Sequence, residues 1–208
     1  MGNRPSEGID FYRSIFRRLP QLRTDRLILR RLRRRDAQAL FDYAKDREVS
    51  DRVLWEAHRS LGDSRAFIRA ARRQYRKGLP SVFGIELKET GALIGTIGFA
   101  WLNGDNETAE IGYSLSRAYW NQGLMTEALE AVLRFAFTEL HLNRVEAQHE
   151  LTNPASGRVM DKVGMKEEGI LRESLYIKGR KSDMRLCAML RADWESAHPA
   201  PTDTEKQD

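Results

Sequence analysis

The sequence predicts one mixed domain of the α+β (mixed α/β) class, and three observations carry that reading. The chain has 208 residues, 41% of them apolar, enough for a single well-buried core and too apolar for wholesale disorder. Its apolar periodicity switches repeatedly between about two and about 3.6 residues. The resulting order is strand, two helices, three antiparallel strands, helix, strand, helix, two strands, which makes seven strands. A glycine-bearing polar loop, residues 121–123, separates the fourth strand from the longest helix.

Taken in chain order, Phe11, Tyr12, Ile15, Phe16 and Leu19 recur at helical spacing and predict a short amphipathic helix. Residues 26–32 read as the first strand. Asp36 then stands as an N-cap, with Leu40, Phe41 and Ala44 on one face of the helix that follows. Residues 47–61 are irregular. Asp63 caps a second helix carrying Phe67, Ile68, Ala71 and Tyr75 inward and a basic far side, and Gly78 and Pro80 end it. Residues 82–87 and 93–101 form a hairpin through Thr90-Gly91, and a turn at 103–106 leads to a fourth strand over 108–115. The long helix covers 126–140 and a strand 144–149. Pro154 opens a helix at its favoured first position, after Asn153, and Gly164 closes it. Residues 165–177 and 182–190 make a closing hairpin. The Pro- and Asp-rich end predicts a disordered tail.

Composition excludes several classes. One cysteine, Cys187, allows no internal disulfide and no cysteine-cluster zinc site; it reads as a buried small hydrophobe. The four histidines show no paired ligand spacing, so no metal is expected. No run approaches the roughly 20 apolar residues of a membrane span, and the N-terminus lacks the apolar core of a secretory signal. These features predict a soluble, cytoplasmic protein without membrane partners. Residues 1–80 hold 21 Lys and Arg against 10 Asp and Glu, net +11, whereas residues 81–208 are net −6. The densest cluster is Arg30, Arg31, Arg33, Arg34 and Arg35. Such a block can bind phosphate, in nucleic acid or in a cofactor, but the plainer reading is a solvated edge strand running into a helix. Aromatics that would stack on bases are not interleaved there.

The informative stretch is residues 109–128, AEIGYSLSRAYWNQGLMTEA. A strand ends, a small polar loop follows, and a long helix begins. Unpaired amides at the positive end of a helix dipole suit a pyrophosphate. The loop is neither a Walker loop nor a dinucleotide fingerprint, since both glycine spacings are missing. A glycine before a helix is also a common turn.

With the segment Asn153-Pro-Ala-Ser-Gly-Arg-Val-Met-Asp-Lys-Val-Gly-Met165, this stretch resembles the GNAT superfamily of acetyl-CoA-dependent N-acetyltransferases. LRTDRLILR at 22–30 and LYIKGRKSDM at 175–184 resemble its RimJ/RimL branch, which acetylates N-termini of ribosomal proteins. The resemblance spans about residues 22–194. It implies the GNAT-type acyl-CoA N-acyltransferase fold, a central, mostly antiparallel seven-stranded sheet flanked by helices. It divides the chain into a basic amphipathic extension (1–21), the acetyltransferase domain (22–195) and a disordered tail (196–208).

The resemblance also implies roles. The family's phosphate loop falls on Trp120 to Met125, so the amides of Gln122, Gly123, Leu124, Met125 and Thr126 would hold the pyrophosphate. Met125 stands where Gly or Ala is usual, so its side chain must turn away from the phosphates. Asn153 would hold the pantetheine arm, and it also fits an N-cap. A bulge in the fourth strand would free amides near Tyr113 and Ser114, with Leu115 beside them, for the acetyl oxygen. Glu110 is the candidate base, working through water, or simply an exposed strand residue. Ser156 is the candidate proton donor to the departing thiolate, or simply a helix-start serine. The acceptor implied is a primary amine, foremost a protein N-terminus near the ribosome. A small amine such as an aminoglycoside, polyamine or amino acid stays open, as do a non-catalytic acyl-CoA sensor and an RNA-binding module. Monomer and homodimer both stay open.

Overall fold

A computed structural model describes residues 5–199, with side chains from residue 9 onward. Helix α1 (Pro5–Arg17) leads into β1 (Leu22–Arg23) and β2 (Leu27–Arg30). Then come α2 (Ala37–Ala44), α3 (Arg47–Ser50) and α4 (Leu61–Lys77). Strands β3 (Val82–Leu87), β4 (Leu93–Asn103) and β5 (Thr108–Leu115) follow. The second half runs α5 (Leu124–Thr138), β6 (Arg144–Glu150), α6 (Pro154–Lys162), β7 (Lys166–Ile177), β8 (Arg180–Leu190) and α7 (Arg191–Ala197).

The sheet has eight strands rather than the seven expected, in the order β1-β2-β3-β4-β5-β6-β8-β7. The extra strand is β1, two residues long, too short to leave an alternation in the sequence. All pairings are antiparallel except β5 with β6. The short helices α3 and α7 were also not foreseen. Helix α7 continues through Ala197, so the expected domain boundary at 195 falls inside a helix; of the expected tail, 196–208, Ser196 and Ala197 are helical and residues 200–208 lie outside the described residues.

Both faces of the sheet are covered. Register places Phe83, Ile97, Phe99 and Tyr113 on one face, where Phe135 of α5 meets Phe83 edge-on and Ser156 of α6 meets Tyr113. Thr96 and Ser114 share the opposite face, hydrogen-bonded to each other at 3.2 Å and reached by Tyr43 of α2. Helix α5 is buried on nearly every side, from Leu124 to Phe137, because α6 and the sheet enclose it.

Two capping expectations change. Ser60, not Asp63, is the N-cap of α4; Asp63 is its third helical residue and returns a carboxylate to the Ser60 amide at 2.8 Å. Asp36 does precede α2, but its side chain makes no cap. It receives both terminal nitrogens of Arg30 at 2.8 and 2.9 Å and the Arg33 amide at 2.6 Å. Arg30 is 3% exposed and also pairs with Glu86. A buried guanidinium demands such partners, so one member of the basic cluster is core and the others are surface. Gly78 ends α4 at φ 68°, and a Cβ there would lie 2.4 Å from the Arg13 carbonyl oxygen, so glycine is what lets α1 close on α4.

Candidate functional site

The site begins where the sheet opens. Strands β5 and β6 pair over only three positions, from Thr108 with Arg144 to Glu110 with Glu146, and then part. The phase of the β4–β5 ladder follows from the Ser116 amide bonding the Ile94 carbonyl. Antiparallel amides alternate in direction, so those of Gly112 and Ser114 turn to β4, and those of Ile111, Tyr113 and Leu115 turn toward the opening. The expected bulge in this strand is absent. The register shift lies in β4, between Phe99 and Trp101, and the free amides arise because β6 leaves. Tyr113 and Leu115 therefore present N–H groups, whereas Ser114 does not.

At the far side of the opening stands the N-terminus of α5. Gly123 is its N-cap at φ 75°, and Asn121 also has a positive φ of 58°. The helix starts two residues before the expected Thr126. This loop is tied down from β2's side of the sheet. Glu127, in the first turn of α5, accepts from Thr24 Oγ1 at 2.5 Å, from the Arg26 amide at 2.8 Å and from Arg26 Nε at 2.7 Å. Arg26 Nη1 in turn donates to the Gln122 carbonyl at 2.9 Å. Burial would raise the Glu127 pKa, but the bonds from Thr24 and Arg26 together hold it below the usual carboxylate range.

One cavity in the opening is lined by Tyr113, Ser114 and Leu115, by Gly123 to Thr126, and by Asn153 and Ser156 of the α6 start. Of the expected cofactor-binding residues only Gln122 is not in its wall; its carbonyl and side chain are turned to Arg26 and to the Ala118 carbonyl. Met125 is 7% exposed with its side chain in the core, as a bulky residue at that position must be. Asn153 caps α6, accepting from the Ser156 amide at 3.4 Å, and spends one of its two amide N–H bonds on the Arg52 carbonyl. Arg158 and Lys162, one turn apart on α6, add two cations that the sequence reading overlooked.

A second cavity adjoins the first and shares Arg52, Val53, Tyr113, Ser114 and Ser156 with it. Its outer wall includes Trp55, Phe67, Glu110, Gln148 and Leu175. Glu110 is half-buried. Trp101 Nε1 and Gln148 Nε2 both donate to its Oε2, at 2.9 and 3.3 Å, which leaves Oε1 without a donor among the described residues. Burial raises the Glu110 pKa and nearby Glu146 adds to that; the two hydrogen bonds oppose it. Between the cavities, Ser156 Oγ donates to the Tyr113 hydroxyl at 3.0 Å, and that hydroxyl donates to the Ser156 carbonyl, also at 3.0 Å. Burial pushes the Tyr113 phenol well up, so it is neutral.

The sequence reading used Tyr113 only for its amide. Three residues apart on one strand, Tyr113 and Glu110 point to opposite faces, but once β6 departs both faces of β5 border the opening. Trp101 and Gln148 were missed because neither is near Glu110 in sequence.

A family model described as an acetyltransferase (GNAT) domain matches residues 26–166. The chain is 34% identical over 173 residues to the uncharacterized N-acetyltransferase p20 of Bacillus licheniformis, covering 83% of this chain and 97% of that one. It is 30% identical over 179 residues to the ribosomal protein uS5-alanine N-acetyltransferase of Escherichia coli (strain K12), covering 84% and 92%. A solved GNAT-family acetyltransferase from Bacillus anthracis superposes with a TM-score of 0.75 at 27% identity, covering 83% of this chain and 99% of that one. The chain belongs to the GNAT acetyltransferase family and is an acyltransferase. Among the described residues no helix is long and apolar enough to cross a membrane, and no group of three or more His, Cys, Asp or Glu is placed to hold a metal ion.

Proposed function

We propose that this protein, in the cytoplasm, acetylates the N-terminal amine of a protein by direct attack on acetyl-CoA, with a ribosomal protein as the leading acceptor. The observation that carries the reading is Glu110: a carboxylate with one bonded and one free oxygen, in the wall of the cavity beside the one that fits the cosubstrate. Acetyl-CoA supplies the activated acetyl group. The chain's residues fit it: the α5 N-terminal amides with Arg158 and Lys162 would hold the phosphates, and the strand edge that β6 leaves would receive the acetyl end.

The amine must lose a proton before it can attack. An α-ammonium has a pKa of about 7.7–8.0 and a lysine ammonium about 10.4. A glutamate with a raised pKa therefore accepts the first proton, through water at Oε1, at about 3 kcal/mol less cost than the second. The base is thus matched to an N-terminus. The Tyr113 and Leu115 amides, turned to the opening, would stabilise the negative charge that develops on the acetyl oxygen. Ser156 and the neutral Tyr113 hydroxyl form a donor pair for the departing thiolate. The similarity to a uS5-alanine acetyltransferase supports a protein acceptor.

The test is an acceptor screen read by thiol release. Peptides with a free N-terminus are expected to be acetylated. Nα-blocked peptides bearing lysine, polyamines and aminoglycosides are expected to be poor acceptors. Glu110→Gln should lower kcat toward the free peptide by roughly 10²–10⁴-fold while acetyl-CoA still stabilises the variant. Turnover of the blocked peptide at the rate of the free one would refute the assignment.

A further inference from the structure

We propose that the protein carries a second binding site, for the phosphodiester backbone of a nucleic acid duplex, on the flank of α4 and the adjoining end of β2. The site shares no residue with either cavity described above, and the proposal stands whether or not the acceptor assignment holds.

Helix α4 carries six cations, Arg65, Arg69, Arg72, Arg73, Arg76 and Lys77, and a single acid, Asp63, which is used in its cap. At 100° per residue, Arg65, Arg69, Arg72 and Arg76 fall within about 60° of one another, a row beside the buried stripe of Ser64, Ile68, Ala71 and Tyr75. Like charges three and four residues apart destabilise a helix. None of the six makes an ion pair among the described residues. Packing does not need these charges, because the buried stripe is complete without them.

The row ends in a cavity. Arg72 and Arg76 line it together with Arg31, Arg33 and Gln21, and no acidic residue is in its wall. Arg30 is also there, but Asp36 and Glu86 neutralise it. Two of the other guanidinium groups are held in place. Arg31 lies 4.6 Å above the Tyr75 ring and donates to the Arg17 carbonyl, while the Tyr75 hydroxyl is itself fixed between the Leu32 amide and the Val82 carbonyl. Arg72 donates to the Leu32 carbonyl at 3.5 Å. Arginine forks fixed in this way, unpaired and converging on one hollow, suit phosphate oxygens.

Two features favour a polymer over a single small phosphate. The row spans about 16 Å from Arg65 to Arg76 and reaches about 10 Å beyond the hollow, since seven residues of rise separate Arg65 from Arg72 at its wall. The exposed Arg34 and Arg35 continue the positive surface on the turn that follows Arg33. The surface offers no exposed aromatic for stacking on unpaired bases, so it fits a duplex read through its phosphates.

The test is fluorescence anisotropy with labelled 20-base-pair RNA and DNA duplexes between 50 and 200 mM salt. With about five phosphates engaged, the logarithm of affinity should fall with the logarithm of salt at a slope near −4.5, about a 500-fold loss across that range. The double variant Arg72→Gln/Arg76→Gln should bind at least about tenfold more weakly at 50 mM salt, with a slope shallower by about 2. The control Arg134→Gln/Arg172→Gln removes equal charge elsewhere and should stay close to the parent. Equal binding of the two duplexes assigns the site to the shared backbone, and preference for RNA assigns it to A-form spacing. No duplex binding at 50 mM salt overturns the proposal. So does equal loss in the control pair, and so does binding of anionic phosphatidylserine vesicles without binding of duplexes.

Discussion

Glu127→Gln tests the clamp that holds the loop before α5. In the parent, one carboxylate accepts three hydrogen bonds, from the Thr24 hydroxyl and from the Arg26 amide and guanidinium, and Arg26 passes the constraint to the Gln122 carbonyl. A hydrogen bond to a charged group contributes about 1.5–3 kcal/mol when well buried. Here Arg26 is half exposed, 49% against 17% for Glu127, so its ion-pair share is screened to well under 1 kcal/mol. A glutamine keeps one acceptor oxygen and therefore about half of the remainder. The expected loss is about 1–2 kcal/mol, or a fall in melting temperature of about 2–8 °C for a domain of this size. The pH dependence gives a second readout. A carboxyl whose folded pKa lies below its unfolded value contributes stability that is full above the unfolded value, about 4.3, and fades as pH falls through the folded one. The parent should therefore lose its advantage over Glu127→Gln on acidification, and the two melting curves should converge below about pH 4. A variant as stable as the parent at pH 7, or a gap that does not narrow in acid, would show that the clamp does not hold the loop.

The other expectations concern the opening itself. Gly123→Pro places a fixed negative φ where the chain needs 75° and removes an N–H, so millimolar acetyl-CoA should no longer raise its melting temperature. Ser156→Ala and Tyr113→Phe should each lower kcat by roughly 10²–10⁴-fold with cofactor affinity nearly unchanged, and the double variant should lose little more, because the two hydroxyls form one hydrogen-bonded unit; fully additive losses measured by thiol release would separate their roles. With a neutral α-amine analogue of low pKa, Glu110→Gln should approach parental turnover, and the parent's rate with ordinary peptides should rise with pH through the raised Glu110 pKa; a flat profile would remove Glu110 as base.

Much of this was legible in the sequence because it is local. The α5 stripe from Ala128 to Phe137, the Pro154 start and the Gly78 stop are each set by residues within a turn or two, and the structure places them close to the expected positions. The loop before α5 was legible for the same reason, since a glycine before a periodic helix is a local signal. What escaped depends on distant partners. Asp36 looked like a cap and is a counter-ion, because Arg30 on the neighbouring strand is buried beside it. The bulge was expected on the strand that bears Glu110 and sits on β4, because register is a property of a pair of strands rather than of one. The freed amides were expected near Tyr113 and Ser114, with Leu115 beside them; they fall on Tyr113 and Leu115 and not on Ser114, because their direction is set by the phase against Ile94.

The parting of β5 and β6 explains how six consecutive residues come to line one site. In a closed sheet, a strand offers alternate side chains to two separated faces and all its amides to neighbours. Glu110 is the last residue of β5 paired to β6, and beyond it the second neighbour is missing. The edge amides of Tyr113 and Leu115 are then free. The ring of Tyr113 borders the same space as the Glu110 carboxylate, although the two point to opposite faces. Unpaired strand amides are costly inside a protein, so such an opening persists only where something polar fills it. The α5 N-terminus and the Asn153 turn stand on its other side with positive φ at Asn121 and Gly123, and they leave the gap open where a continued β5–β6 pairing would have closed it. Among the described residues the one parallel pairing is thus also the shortest between neighbouring long strands, and the site lies in the residues that pairing leaves out.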